Sequence, residues 1–183
     1  MVQTYLLGNL PNLITLARLG LTPVAIAMIV GQRYVEAFAV FLIAGVSDGV
    51  DGFIAKRYKL TSELGAYLDP LADKALLISI YVSLAIAGQI SAALAIAVVS
   101  RDIMIMAGVI VAWLLGKPIE IHPVWASKLN TVAQIVFVVG VLGARAFALN
   151  LDVALNAFGF VVFATTIVSA VIYMAQWLAH MTR

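Results

Sequence analysis

Residues 90–115 read ISAALAIAVVSRDIMIMAGVIVAWLL, a run in which Arg101 and Asp102 are the only charges. A helix crosses a hydrocarbon core with about 20 apolar residues, so a run of this length reads as a transmembrane helix. Similar runs on either side predict further spans near 11–31, 34–56, 62–88, 125–149 and 152–180, which together nearly exhaust the 183 residues. The composition agrees: 64% of residues are hydrophobic and 11% charged, against about half and about a quarter in soluble domains. The expected fold is an all-α integral membrane protein, a six-transmembrane-helix bundle forming one domain over residues 1–183. Residues 1–10, MVQTYLLGNL, precede a helix start at Pro11-Asn12 and are expected to form a short interfacial helix.

The chain has no cysteine, which excludes disulfides and thiolate metal sites, and its two histidines are too few for a zinc site. Arg18 inside the first span argues against a cleaved signal peptide. With a net charge of only +2, no nucleic-acid partner is expected. Lys56, Arg57, Lys59, Lys117, Lys128 and Arg183 fall on one side of a six-span topology, and Arg33 and Arg145 on the other. By the positive-inside rule the first side is cytoplasmic, with both termini. A bacterial inner membrane is the expected location. Trp113, Trp125 and Trp177 fall at the same boundary, as lipid anchors.

Residues 48–73, DGVDGFIAKRYKLTSELGAYLDPLAD, put four aspartates into this apolar chain. Asp48 and Asp51 are three apart near the end of the second helix, and Asp69 and Asp73 four apart on the third, so each pair shares a helical face. They lie on the order of 8 to 18 Å inside the basic rim. Four carboxylates there repel one another and must be protonated, paired or metal-bound. Oxygen donors converging from two helices suit magnesium, manganese or calcium. Gly49, Gly52 and Gly65 leave a side-chain-free strip beside them, which serves either close helix packing, as Gly45-x-x-x-Gly49 would, or the approach of a phosphorylated ligand.

The same stretch resembles the signature of the CDP-alcohol phosphatidyltransferases, D-x-x-D-G-x-x-A-R, eight residues, G-x-x-x-D-x-x-x-D. Every fixed position matches except Lys56, where the family has arginine; a lysine keeps the charge but not the planar fork that grips phosphate with two bonds. The resemblance implies two divalent cations, Mg2+ or Mn2+, held by Asp48, Asp51, Asp69 and Asp73. It implies Asp73 as general base, and a CDP-lipid bordered by Gly52, Ala55, Lys56 and Gly65, with Asn12 and Thr15 contributing from the first helix. It also implies a homodimer.

The acceptor would be held outside this motif. The resemblance gives Arg101 and Lys128 the acceptor's phosphate, although Arg101 beside Asp102 also reads as a compensated structural pair. Arg18 either completes the pocket or snorkels to the surface. Within the family, phosphatidylglycerophosphate synthases tend to read A-R-E in the fourth span and G-K-x-K-T in the fifth. The cardiolipin synthases of eukaryotic type read S-R-D and S-K-x-N-T. This chain has Ser100-Arg101-Asp102 and Ser127-Lys128-Leu129-Asn130-Thr131, so the resemblance implies transfer from CDP-diacylglycerol to phosphatidylglycerol, with Asn130 at the acceptor and glycerol-3-phosphate as the alternative. An intramembrane prenyltransferase would need a second Asp-rich motif. A cation- or proton-coupled transporter would place its carboxylates near the midplane on broken helices, with symmetry between halves.

Overall fold

The computed structural model describes the backbone of residues 2–58, 63–115 and 125–182, and within them the side chains of 16–47, 74–112, 114–115, 125 and 127–182. The described residues form six α-helices: α1 (Val2–Val30), α2 (Tyr34–Tyr58), α3 (Glu63–Ile86), α4 (Ala92–Leu114), α5 (Trp125–Ala146) and α6 (Asp152–Met181). Residues 2–10 are not a separate interfacial element. They are the first turns of α1, which runs unbroken through Pro11. Proline removes one backbone donor, but leucines on both sides, Leu6, Leu7, Leu10 and Leu13, favour helix and carry it past the gap.

Three helices are long and apolar enough to cross a membrane among the described residues, over Ala92–Ala112, Ser127–Ala146 and Asp152–Met181. The described apolar stretches of α1, α2 and α3 are shorter: Leu16–Val30, Tyr34–Ser47 and Lys74–Ile86. Large aliphatic and aromatic side chains such as Ile43, Val46, Ile96, Val153 and Phe160 face outward, while Arg101, Asp102, Asn130 and Gln134 are buried. This inverts the usual arrangement of a soluble protein and suits a hydrocarbon surround.

The helices close into a ring in the order α1, α2, α5, α6, α4, α3 and back to α1, and α3 also touches α5. Its interior is filled from several helices by Ile29, Phe41, Ile80, Tyr81, Val98 and Leu142, among others. The Tyr81 ring stacks on Phe137 at 6.3 Å, and Phe158 packs on Phe137 at 6.0 Å. The Tyr81 hydroxyl, which burial would leave without water, donates to the backbone carbonyl of Gln134 at 3.2 Å. At the basic end, Trp177 is more than a lipid anchor. Its indole Nε1 donates to the carbonyl of Gly108 at 2.9 Å. A Cβ on Gly108 would come within 3.2 Å of the indole ring, so the missing side chain is what admits α6 to α4.

Three tight turns link α1 to α2, α3 to α4 and α5 to α6, each through a residue with positive φ: Gln32 at 58°, Gly88 at 69° and Ala148 at 51°. In the first, Arg33 N donates to Met28 O and Gln32 N to Ile29 O; in the second, Gln89 N donates to Leu84 O and Gly88 N to Ala85 O. Both satisfy the last carbonyls of the preceding helix as a Schellman motif does. Only the second turn has glycine at the positive-φ position. Arg33 pairs with Glu36 at 2.8 Å and Arg145 with Asp152 at 2.9 Å, so both arginines at this end are neutralised locally. Gln32→Gly is expected to stabilise the protein by about 1 kcal/mol by relieving the left-handed strain of a residue with a Cβ. Thermal unfolding in detergent checks this; a lowered Tm would show that the Gln32 side chain matters more than its backbone.

Candidate functional site

Asp102 organises the polar interior. Its side chain is fully buried on α4, and both oxygens accept hydrogen bonds from Lys74 Nζ of α3 at 2.9 Å. Its neighbour Arg101 donates from Nη1 to Oδ1 at 2.6 Å. The rest of the Arg101 guanidinium reaches across two other helices. Nε and Nη2 donate to Ser169 Oγ of α6 at 3.3 and 2.9 Å, and Nη2 also donates to Ser127 Oγ in the first turn of α5. The ring of Tyr173, one turn after Ser169, lies 5.7 Å from the guanidinium carbon. One carboxylate and two cations therefore tie α3, α4, α5 and α6 together. Burying such a group is tolerable only because each charge has a partner and further hydrogen bonds.

The network continues along α5. Asn130 and Gln134, one turn apart, are both fully buried. Asn130 Oδ1 accepts from Thr165 and Thr166 of α6 at 2.9 and 3.0 Å, and Gln134 Nε2 donates to Thr166 Oγ1 at 3.4 Å. Positions 127, 130 and 134 thus form one polar face of α5 against positions 165, 166 and 169 of α6, an interhelical seam of a kind that membrane bundles use.

A cleft of about 330 Å³ opens among α1, α2, α3 and α5. Arg18, Lys74 and Thr131 supply its polar lining, and Phe41, Leu77 and Ile135 belong to its apolar part. Arg18 is buried, so it does not snorkel to the surface. Gly45 also lines the cleft, and no heavy atom of the described residues lies within 4 Å of where its Cβ would be. Gly45 therefore leaves open space here and makes no close helix contact among the described residues.

A family model for CDP-alcohol phosphatidyltransferase matches residues 8–176. The chain belongs to that family. Among curated relatives, a rat cardiolipin synthase (CMP-forming) is 35% identical over 76% of this chain and 51% of its own length. A Mycobacterium tuberculosis protein named "Probable phosphatidylglycerophosphate synthase" is 32% identical over 97% of this chain and 83% of its own. A CDP-diacylglycerol--glycerol-3-phosphate 3-phosphatidyltransferase of Haemophilus influenzae is 33% identical over 73% and 75%. The chain spans about half the length of the first curated relatives it matches.

As a member of this family the chain carries its signature on α2 and α3, with Lys56 in place of the arginine. The side chains of Asp48, Asp51, Gly52, Ala55, Lys56, Gly65, Asp69 and Asp73 lie outside the described residues, as do those of Asn12 and Thr15. The backbone is helical through both acidic pairs, so spacings of three and four keep each pair on one face. That donor set, all hard oxygen, fits a magnesium- or manganese-type cation. No group of three or more acidic, histidine or cysteine side chains occurs among the described residues.

Of the residues expected at the acceptor, Arg18 lines the cleft, and Arg101 lies in the buried network. Lys128 is exposed at the start of α5 with its ammonium 5.8 Å from the Trp125 ring centre. Asn130 is in the α5–α6 seam, because two threonine hydroxyls of α6 compete for its carbonyl oxygen. Sequence reasoning missed Lys74. A lysine one residue after Asp73, inside an apolar helix and with Asp102 available on the next helix, was the signal.

Proposed function

We propose that this chain transfers a phosphatidyl group from CDP-diacylglycerol to the hydroxyl of phosphatidylglycerol, giving cardiolipin and CMP. Membership of the family supports the chemistry. The observation that carries the acceptor is the pair of short sequences Ser100-Arg101-Asp102 and Ser127-Lys128-Leu129-Asn130-Thr131, with the likeness to the rat cardiolipin synthase beside them. The acceptor oxygen attacks the phosphorus that bears diacylglycerol, the bond from that phosphorus to the bridging oxygen breaks, and CMP departs with the electron pair. Asp73 takes the hydroxyl proton as attack begins, since a neutral alcohol is a poor nucleophile. Asp48, Asp51, Asp69 and Asp73 would hold two divalent cations, which when bound neutralise the pyrophosphate and steady the leaving CMP. Lys56, Gly52, Ala55 and Gly65 border the donor, with Asn12 and Thr15. Lys128 meets the acceptor's phosphate at the cytoplasmic mouth, and Arg101 holds Ser127, the residue before it. The setting is six spans in a bacterial inner membrane, both termini cytoplasmic, in a homodimer.

Glycerol-3-phosphate as acceptor has two observations in its favour: the likeness to the Haemophilus influenzae CDP-diacylglycerol--glycerol-3-phosphate 3-phosphatidyltransferase, and the Mycobacterium tuberculosis relative that aligns over 97% of this chain. Purified protein given CDP-diacylglycerol and both acceptors distinguishes the two. The expected result is cardiolipin and CMP, with phosphatidylglycerol preferred by at least about tenfold. Formation of phosphatidylglycerophosphate without cardiolipin would establish the second acceptor, and no CMP release with either would remove the transfer reaction itself.

A further inference from the structure

We propose that Asp102 is a positioning residue for the transfer reaction, acting through Lys74 to set the angle of the carboxylate-bearing face of α3. The inference rests on the proposed reaction and adds to it a role for residues outside the metal and donor motif. Its basis is the pair of hydrogen bonds from Lys74 Nζ to Oδ1 and Oδ2 of Asp102, both 2.9 Å. Two bonds to a carboxylate that has no solvent contact hold the lysine ammonium at one place on α4 and so tether position 74 to that helix. Residue 74 follows residue 73 on one helix, 100° further round and 1.5 Å further along. Fixing position 74 against α4 therefore fixes the rotation of α3 about its axis, and with it the setting of positions 69 and 73.

The other end of the network shows why a simple helix-to-helix ion pair is not a sufficient description. Arg101 holds Asp102 Oδ1 and also the Ser127 hydroxyl in the first turn of α5. Lys128, proposed to meet the acceptor, comes next. A single carboxylate thus sets the proposed base on α3 and the proposed acceptor residue on α5 in one frame. Reaction between a bound alcohol and a bound donor is sensitive to such relative placement, because a displacement of about 1 Å costs up to about 100-fold in rate.

The partners are not equivalent. With Lys74 removed, Asp102 keeps Arg101. With Asp102 neutralised, two cations face each other in the interior. Lys74→Met should therefore fold, and Asp102→Asn should be the more damaging of the two. The test is steady-state CMP release from CDP-diacylglycerol and phosphatidylglycerol in mixed micelles, after gel filtration has shown each variant to be folded. CMP release by the wild type comes first: if there is none with any alcohol, the proposed reaction fails, and this inference with it. Given wild-type turnover, Lys74→Met should lower kcat about 30-fold with KM for the donor unchanged within about twofold, the pattern of a lost transition-state alignment. Lys74→Arg and Asp102→Glu, which keep both charges, should recover most of the rate. Lys74→Met with Asp102→Asn should be no slower than Asp102→Asn alone, because both substitutions break one contact. Wild-type kcat in Lys74→Met would overturn the proposal, and so would a Lys74→Met protein that does not fold, which would make the pair structural only. Failure of Lys74→Arg and Asp102→Glu to recover activity would overturn it equally.

Discussion

Asp69→Asn is expected to reduce CMP release by about 1,000-fold, on the scale of losing one preorganised charge contact to a transition state. Asparagine preserves the shape of the side chain and one oxygen donor but not the negative charge, and hard divalent cations depend on that charge for affinity. Part of the loss should therefore be recovered by raising the magnesium or manganese concentration. Asp73→Asn is expected to differ in kind. If the proton of the acceptor hydroxyl goes to Asp73, the variant should still bind CDP-diacylglycerol in the presence of metal, yet release no CMP at any metal concentration. Binding by isothermal calorimetry and turnover by CMP detection separate the two cases. Asp73→Asn turnover restored at saturating metal would make Asp73 a ligand only and would require another base.

The contrast between these aspartates and Asp102 shows how much of the site the sequence makes legible. Asp48, Asp51, Asp69 and Asp73 fall on two helices consecutive in the chain at spacings of three and four, so helical geometry alone puts each pair on one face. Nothing in that reasoning depends on which other helices pack beside them. Lys74 and Asp102 are 28 positions apart on different helices, and their pairing depends on the α3–α4 packing, which apolar periodicity does not specify when nearly every face is apolar. For the same reason the six helices were predictable but their cyclic order was not. The two non-glycine turns were hidden differently. Gln32 and Ala148 adopt positive φ without a glycine to announce it, since satisfying the last helical carbonyls offsets the local strain. Pro11 misled in the opposite direction: it reads as a helix start, yet one missing donor does not end a helix whose neighbours on both sides favour helix.

Asn130→Lys is expected to cost the fold about 3 to 5 kcal/mol, the scale on which an unpaired charge is buried. Read in sequence alone, the exchange adds a cation to the acceptor pocket and broadens it towards glycerol-3-phosphate. The structure points to another outcome. Asn130 has no exposed surface, and its Oδ1 accepts from Thr165 and Thr166 across the α5–α6 seam. A lysine there cannot accept either hydroxyl, and it buries an ammonium against α6 in place of a neutral amide. The amide itself is imperfectly satisfied, since Asn130 Nδ2 and the side-chain Oε1 of Gln134 one turn away are buried without hydrogen-bond partners among the described residues. Asn130→Asp should therefore also be destabilising, because it loses nothing useful from Nδ2 but buries a second charge, whereas Asn130→Ser should be the mildest of the three. Thermal unfolding in detergent orders these variants, and the two-acceptor assay reports their choice of alcohol. An Asn130→Lys protein as stable as the wild type, and newly active on glycerol-3-phosphate, would show that position 130 reads the acceptor directly rather than holding α5 on α6.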